Sequence, residues 1–460
     1  MIKKFTLVGV LFSLLFIPSY SQSTKIYGTI ENADAYTIQL KTFSDFLSMT
    51  EEVVDSFEIS KYGTFELKTS LNATKLHVLV IGFQKAYVYL EPDKEYQLKI
   101  KYDKEREQIT FVNKAQLDFE FIDLPNDALN HQIAEFNLKA NEFLVSNFDQ
   151  IYKRRNKKIV ESFSKEIKES FQNSSGFLKN YIDFRLASIE YSSGLKNKAA
   201  IFKTYFEDKK ILFDHDEYFQ FFKEFFENYL MNPNPYFDTE LLNRKIFNGD
   251  DLGSMLAILK QDPMLQQEKL RTMVLLKGLY DLYFYPSANK STILSLFHQI
   301  NQESPFETIK KVATNLQQKL TYLQPGTDFP KYFIDNLEND KRVSSQMRKA
   351  IFVNFFTIPC SACMREMDSI SSMFNRYSDE VQFISIVLNT TEEELDKLHV
   401  AKKYPWQIKQ AEQPFKLAET YQIRSLPAYF LIDSKGKILM NPAFQPWQGF
   451  SLAFKSVFNY

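Results

Sequence analysis

Cys360 and Cys363 are the only cysteines in this 460-residue chain, set three apart in Phe355-Phe356-Thr357-Ile358-Pro359-Cys360-Ser361-Ala362-Cys363. An apolar stretch, Ala350 to Phe356, leads into the pair, and a stretch with helical spacing, Met364 to Tyr377, follows it. A lone pair at this spacing, at a strand-to-helix turn, suits a reversible dithiol and disulfide better than a structural staple. The first turn of a helix leaves N–H groups without intrahelical partners, and their partial positive charge favours a thiolate. Cys360 is therefore the expected nucleophile. Cys363, one turn on and on nearly the same face, is placed to attack a mixed disulfide and release the product. Zinc is the chief chemical rival, but it wants four ligands. His77, His131, His215, His298 and His399 are scattered, and none pairs with the cysteines at ligand spacing. The expectation is a redox-active disulfide, with no metal and no other cofactor.

Something must hold such a turn in place. From Gln324-Pro325-Gly326-Thr327 onward the pattern alternates: a strand (Ala350 to Phe356), the cysteine helix, a strand (Val381 to Leu388) and a helix (Glu392 to Lys403). A helix (Pro414 to Tyr421), a strand (Ala428 to Ile432) and a final strand and helix follow, with Asp433-Ser434-Lys435-Gly436 as a hairpin turn. Alternation of this kind predicts an α/β sheet with crossovers. Residues 22–112 read instead as short strands: Ile26–Ile30, Tyr36–Lys41, Val53–Ile59, Thr64–Lys68, Lys75–Ile81, Ala86–Leu90 and Tyr96–Ile100. Their even spacing predicts a small antiparallel sandwich or barrel. Between them, residues 113–322 have little glycine and long helical periodicities, broken at prolines such as Pro233, Pro235 and Pro263. Tyr218, Phe219, Phe222, Phe225, Phe226, Tyr229 and Leu230 form an aromatic stripe there, read as packing. The expected fold is multidomain α+β: residues 1–21 a leader, 22–112 the β domain, 113–322 an irregular helical domain and 323–460 the α/β domain.

The leader sets the compartment. Lys3 and Lys4 precede the apolar stretch Phe5 to Ile17, and Ser19-Tyr20-Ser21 puts small residues at the −3 and −1 positions of a cleavage site. This is the plan of a secretory signal peptide, and the apolar stretch is short for a membrane span of about 20 residues. No cysteine follows it to carry a lipid, so the mature chain from Gln22 is expected to be exported and soluble. Lys plus Arg (56) nearly balances Asp plus Glu (57), so no global field recruits nucleic acid or an anionic membrane. The basic run Lys153-Arg154-Arg155-Asn156-Lys157-Lys158 is local and reads as a solvated helix face.

The segment Phe352-Val353-Asn354-Phe355-Phe356-Thr357-Ile358-Pro359-Cys360-Ser361-Ala362-Cys363-Met364-Arg365-Glu366 resembles the active-site signature of the exported TlpA/ResA-like thioredoxins. Ile423-Arg424-Ser425-Leu426-Pro427-Ala428-Tyr429-Phe430-Leu431-Ile432-Asp433 resembles that family's segment around its cis-proline. The resemblance covers residues 323–460 and implies a thioredoxin fold with Cys360 as nucleophile and Cys363 as resolving thiol. It implies that Pro427 is the cis-proline opposite the disulfide, with the Leu426 backbone and Pro359 on the substrate-binding surface. Glu366 falls at the family's acidic position. It lies about 60° around a helix from Cys363 and twice that from Cys360, so a proton-handling role serves Cys363 more directly. A surface carboxylate is the competing reading. Asn354 stands where cytoplasmic thioredoxins carry a buried Asp.

Departures from the family pattern bear on direction. Pro359 replaces the usual tryptophan and Ser361-Ala362 replaces the common dipeptide, while no histidine between the cysteines pushes toward a strong oxidant. The resemblance implies an exported thiol:disulfide oxidoreductase, leaning to a reductase, in the periplasm of a Gram-negative bacterium. Its partners are then protein thiols and disulfides and a membrane-borne or soluble electron donor. A thiol peroxidase is the nearest rival enzyme, because Thr357-x-x-Cys360 satisfies half of a peroxiredoxin pattern, but Val353 stands where that pattern needs proline. A non-enzymatic binding platform in the cell envelope, carrying a vestigial last domain, is the other alternative.

Overall fold

A computed structural model of the protein describes residues 23–32, 37–82, 84–103, 116–174, 176–330, 349–358, 360–388, 390–411, 414–423, 425–441 and 443. The expected leader (1–21), Pro359 and the helix expected at the C-terminus lie outside the described residues.

All seven expected N-terminal strands form, as β1 Thr24–Glu31, β2 Thr37–Asp45, β3 Thr50–Glu58, β4 Thr64–Thr69, β5 Lys75–Ile81, β6 Gln84–Leu90 and β7 Glu95–Lys101. An eighth, β8 Asp118–Ile122, pairs with β7 and extends the sheet past residue 112. Two four-stranded sheets result, β4-β1-β7-β8 and β3-β2-β5-β6, facing each other across a core that includes Ile26, Leu40, Leu67, Leu79, Val88 and Leu98. One ladder corrects the antiparallel expectation: β1 runs parallel to β7. Alternating side chains report which face of a strand is buried and say nothing of its direction. The long excursion through the second sheet also leaves ample chain to return in the same sense. Gly28 makes that ladder possible, because a Cβ there would lie 1.8 Å from the Leu98 carbonyl oxygen.

A helical region follows, whose α-helices among the described residues are α1 Leu129–Ser146, α2 Lys157–Ser170, α3 Gly176–Ser192, α4 Lys198–Tyr205, α5 Asp216–Phe225, α6 Thr239–Asn248, α7 Leu252–Leu259, α8 Glu268–Tyr283, α9 Lys290–Glu303 and α10 Glu307–Thr321. The aromatic stripe is packing: all seven residues are buried in one core. That core also takes in Phe43, Phe46, Leu76, Val78 and Val80, so the helices cover the outer face of β2 and β5. Strand β5 is therefore buried on both faces and lacks the polar alternation seen in β7. The basic run is exposed but is not one helix face. Lys153 ends a π-helical turn (Asp149–Lys153), residues 154–156 bridge, and Lys157 opens α2.

The last region builds β9 Ala350–Phe356, α11 Ser361–Tyr377, β10 Val381–Val387, α12 Glu392–Lys402, β11 Gln407–Gln410, α13 Pro414–Thr420, β12 Ala428–Ile432 and β13 Ile438–Met440. The sheet order is β11-β10-β9-β12-β13, with β9, β10 and β11 parallel and β12 antiparallel to β9. Asp433 to Gly436 turn the β12–β13 hairpin, with Gly436 in the left-handed region at φ 81°. Central β9 is wholly buried. Phe352 and Phe356 meet Met367 and Ile370 of α11 on one face, while Val353 and Phe355 meet Leu417 of α13 on the other.

Candidate functional site

Strand β9 ends at Phe356, and four residues later Cys360 caps the N-terminus of α11 in an extended conformation. Its sulfur accepts the Cys363 backbone N–H at 3.0 Å, so the cap is made by the sulfur itself. Cysteine is not among the strong capping residues. Its presence at the cap puts a sulfur where the N–H groups of the first turn and the helix dipole favour a thiolate. Cys360 and Cys363 are joined as a disulfide, with Cα atoms 5.2 Å apart. The two sulfurs are not equivalent: Cys360 is half-buried, and Cys363 is fully buried against Phe352, Met367 and Tyr429.

Sheet register brings a second segment to the same end. Ala428, the first residue of β12, pairs with Phe355 near the end of β9 that runs into the cysteines. The Leu426–Pro427 bond just before it is cis. Leu426 packs against the cluster that holds Cys363, and both Leu426 and Pro427 are half-buried. Pro359 lies outside the described residues.

Glu366 is half-buried on α11, one turn beyond Cys363. The Tyr429 hydroxyl donates a hydrogen bond to Glu366 Oε2. Burial, then the Glu366 carboxylate, pushes the Tyr429 phenol up, so Tyr429 remains a neutral donor. Asn354 lies opposite Tyr429 in the β9–β12 ladder and opposite Ser385 in the β9–β10 ladder. It is buried and neutral, and its needs are met locally. The Ser385 hydroxyl donates to Asn354 Oδ1, the Asn354 amide donates to Met367 Sδ at 3.3 Å, and Trp406 Nε1 donates to Ser385 Oγ at 2.7 Å. This network ties α11 to β9 and β10 and to Trp406, the residue before β11. With an amide at position 354, Glu366 is the carboxylate nearest Cys363 along α11.

The sequence reading named Cys360, Cys363, Glu366, Leu426 and Pro427, and the fold gathers them at the C-terminal end of β9 and the start of α11. It passed over Tyr429, Ser385 and Trp406. The available signal was Tyr429 at the second β12 position, one residue after Ala428; only the register against β9 shows that it faces α11. The peroxidase pattern gains nothing, since Val353 sits mid-strand between Ile384 and Phe430. A cavity of about 600 Å³ lies by Lys198, Tyr229 and Asn234 and shares no residue with this site.

Residues 325–440 match the family model described as AhpC/TSA family. A curated relative, thiol-disulfide oxidoreductase ResA of Bacillus cereus, is 29% identical over 119 residues, covering 25% of this chain and 68% of that protein. The C-terminal domain is thus thioredoxin-like and similar to the AhpC/TSA family, with ResA proteins among its relatives. A ResA from Geobacillus kaustophilus is 26% identical over 133 residues, covering 28% of this chain and 74% of that protein. Among solved structures, a putative thiol:disulfide interchange protein DsbE from Chlorobium tepidum aligns with TM-score 0.24 and 17% identity, covering 29% of this chain and 95% of that one. StoA from Bacillus subtilis aligns with TM-score 0.21 and 21% identity, covering 24% and 83%. The curated relatives are named as thiol-disulfide oxidoreductases, which supports an oxidoreductase activity, and the matched residues hold both cysteines of the chain, joined as a disulfide.

Proposed function

We propose that this chain is an exported thiol:disulfide oxidoreductase that reduces disulfides of protein substrates through Cys360 and Cys363. The observation that carries the reading is the asymmetry of the pair: a half-exposed sulfur at a helix cap, backed by a buried one a single turn away. In the forward direction the Cys360 thiolate attacks one sulfur of a substrate disulfide. A Cys360–substrate bond forms and the other substrate sulfur leaves as a thiolate. Cys363, losing its proton, then attacks the Cys360 sulfur. The Cys360–Cys363 disulfide forms, the second substrate thiol is released, and two electrons have passed to the substrate. A dithiol donor, soluble or membrane-borne, resets the pair by the reverse exchange. Glu366, held by Tyr429, takes the Cys363 proton in this scheme, and Pro427 with the Leu426 backbone lines the substrate side. Export rests on the leader-like residues 1–21, and a periplasmic setting is part of the same reading.

The test is direct. The reduced protein should reduce a protein disulfide, and both Cys360→Ser and Cys363→Ala should abolish turnover. Cys363→Ala should also hold substrate on Cys360 as a mixed disulfide. Turnover surviving either substitution rules out dithiol exchange, and rapid consumption of peroxide by the reduced protein would make it a peroxidase instead.

A further inference from the structure

Helix α1 carries one continuous apolar face and, on its outward side, two exposed large apolar residues set among Glu135, Asn141 and Glu142. Leu129, Ile133, Phe136 and Ala140 form the continuous face, which packs inward, at three- and four-residue spacing. Leu138 and Val145 point roughly the opposite way, by the helical repeat of 100° per residue. They are 59% and 79% exposed, and Phe148 and Tyr152 at the end of the helix are 54% and 38% exposed. The Phe148 and Tyr152 rings lean on each other, with centroids 5.1 Å apart, across the start of the π-helical turn. Scattered apolar residues on a surface need no explanation, but two exposed on the last turns of α1, followed at once by an exposed aromatic pair at the π-helical turn, do.

The same helix end leads directly into the basic run. From Leu138 to Lys158 there are six cations (Lys139, Lys153, Arg154, Arg155, Lys157, Lys158) and two carboxylates, Glu142 and Asp149. Asp149 is matched by Lys153 at 2.8 Å. Arg154, Arg155, Lys157 and Lys158 are all exposed and form no ion pair among the described residues. The protein as a whole is nearly neutral, so this cluster is a local feature and not a share of a general positive charge. Lys157 and Lys158 also sit in the first turn of α2, where the helix dipole disfavours cations. Folding of the helix does not account for them.

Exposed aliphatic and aromatic side chains flanked by unpaired Lys and Arg are the chemistry of an interfacial membrane contact. The apolar groups enter the acyl boundary, the aromatics sit at headgroup level, and the cations meet anionic headgroups. We propose that the end of α1 and the corner at residues 153–158 dock on an anionic phospholipid surface, holding the protein at the face of a membrane. Charge complementarity selects this occupant over an apolar protein groove, and the aromatic pair selects it over a soluble polyanion. The proposal does not depend on the redox reading.

The experiment is co-sedimentation of the full chain with vesicles of phosphatidylglycerol and phosphatidylcholine, against vesicles of phosphatidylcholine alone, at low and high salt. Residues 5–17 are common to every variant, so differences between variants report the patch alone. The parent should favour the anionic vesicles and lose much of that preference at high salt. Each cation near such a surface contributes about a fivefold gain in partitioning, so Arg154→Glu/Lys157→Glu/Lys158→Glu should lower it by about a hundredfold or more. Val145→Ser/Phe148→Ser should lower it by about tenfold. All five side chains are exposed, and unchanged thermal midpoints confirm that both variants fold. Equal binding by parent and variants overturns the proposal. Loss with the charge variant alone marks a polyanion site, and loss with the apolar variant alone marks a protein-docking face. Either of those results overturns it as well.

Discussion

At the scale of single residues, the site turns on which group handles the proton of Cys363. Asn354 cannot, and its amide is committed to Ser385 and Met367. Glu366 can, and Tyr429 fixes its carboxylate from the sheet. Glu366→Gln should therefore slow resolution of the mixed disulfide by about a hundredfold, the lower range of general acid–base effects. Formation of that disulfide on Cys360 should remain fast. Tyr429→Phe should act in the same direction more weakly, lowering kcat about fivefold, the effect of one lost hydrogen bond, with KM unchanged. Single-turnover kinetics with a labelled substrate separate the two steps, and equal rates for all three proteins would make Glu366 a surface carboxylate. The cysteines were legible in the sequence because their chemistry is carried by residue type and spacing, and the segment around Pro427 because it resembles the TlpA/ResA-like family's cis-proline segment. Tyr429 was not, because its role comes from Glu366 on α11, and it is the register of β12 against β9, which local sequence does not encode, that turns it toward that helix.

At the scale of elements, strand positions were read well and strand partners were not. Period-two alternation in β4 and β7 places their buried faces directly. It cannot reveal that β1 lies beside β7 in the same direction, nor that β8 returns to the sheet after residue 112. Short β11, Gln407–Gln410, went unread because its half-buried residues carry no alternation of their own. Gly28 is the residue on which the parallel ladder depends. Gly28→Ala forces a methyl group against the Leu98 carbonyl and should cost about 3 kcal/mol, the upper range for overpacking. Denaturant titration followed by tryptophan-independent far-UV signal checks it; a loss below about 1 kcal/mol would mean that the ladder can move aside.

At the scale of the whole molecule, β6, α1, α3 and α5 meet around a polar knot under the aromatic core. Tyr89 donates to Asp216 at 2.7 Å, His215 stacks on Phe177, and Tyr181 bonds Asn137. Burial lifts the neighbouring Glu217 carboxyl to about 7, against the opposing pull of Arg185. A carboxyl raised in the folded state binds more protons there than in the unfolded chain between pH about 4.5 and about 7. Its contribution to stability is therefore full below that window and lost as pH rises through it. Glu217→Gln should remove up to about 3 kcal/mol of that pH dependence. His77, lowered by burial to about 4, works in the opposite sense over an overlapping range. The check is accordingly the difference between variant and parent stability at pH 5 and pH 8, and a difference that does not change with pH would contradict it. The burial of β5 on both faces has a further consequence. Its inner side chains belong to the sandwich and its outer ones to the helical core, whereas among the described residues the cores of the last sheet begin only at Leu323. The sandwich and the helices are thus heritable only together. A chain recombined with another beside the thioredoxin-like domain would keep each of these cores whole and would lose contacts such as Lys41 with Glu419 and Tyr322 with Thr420.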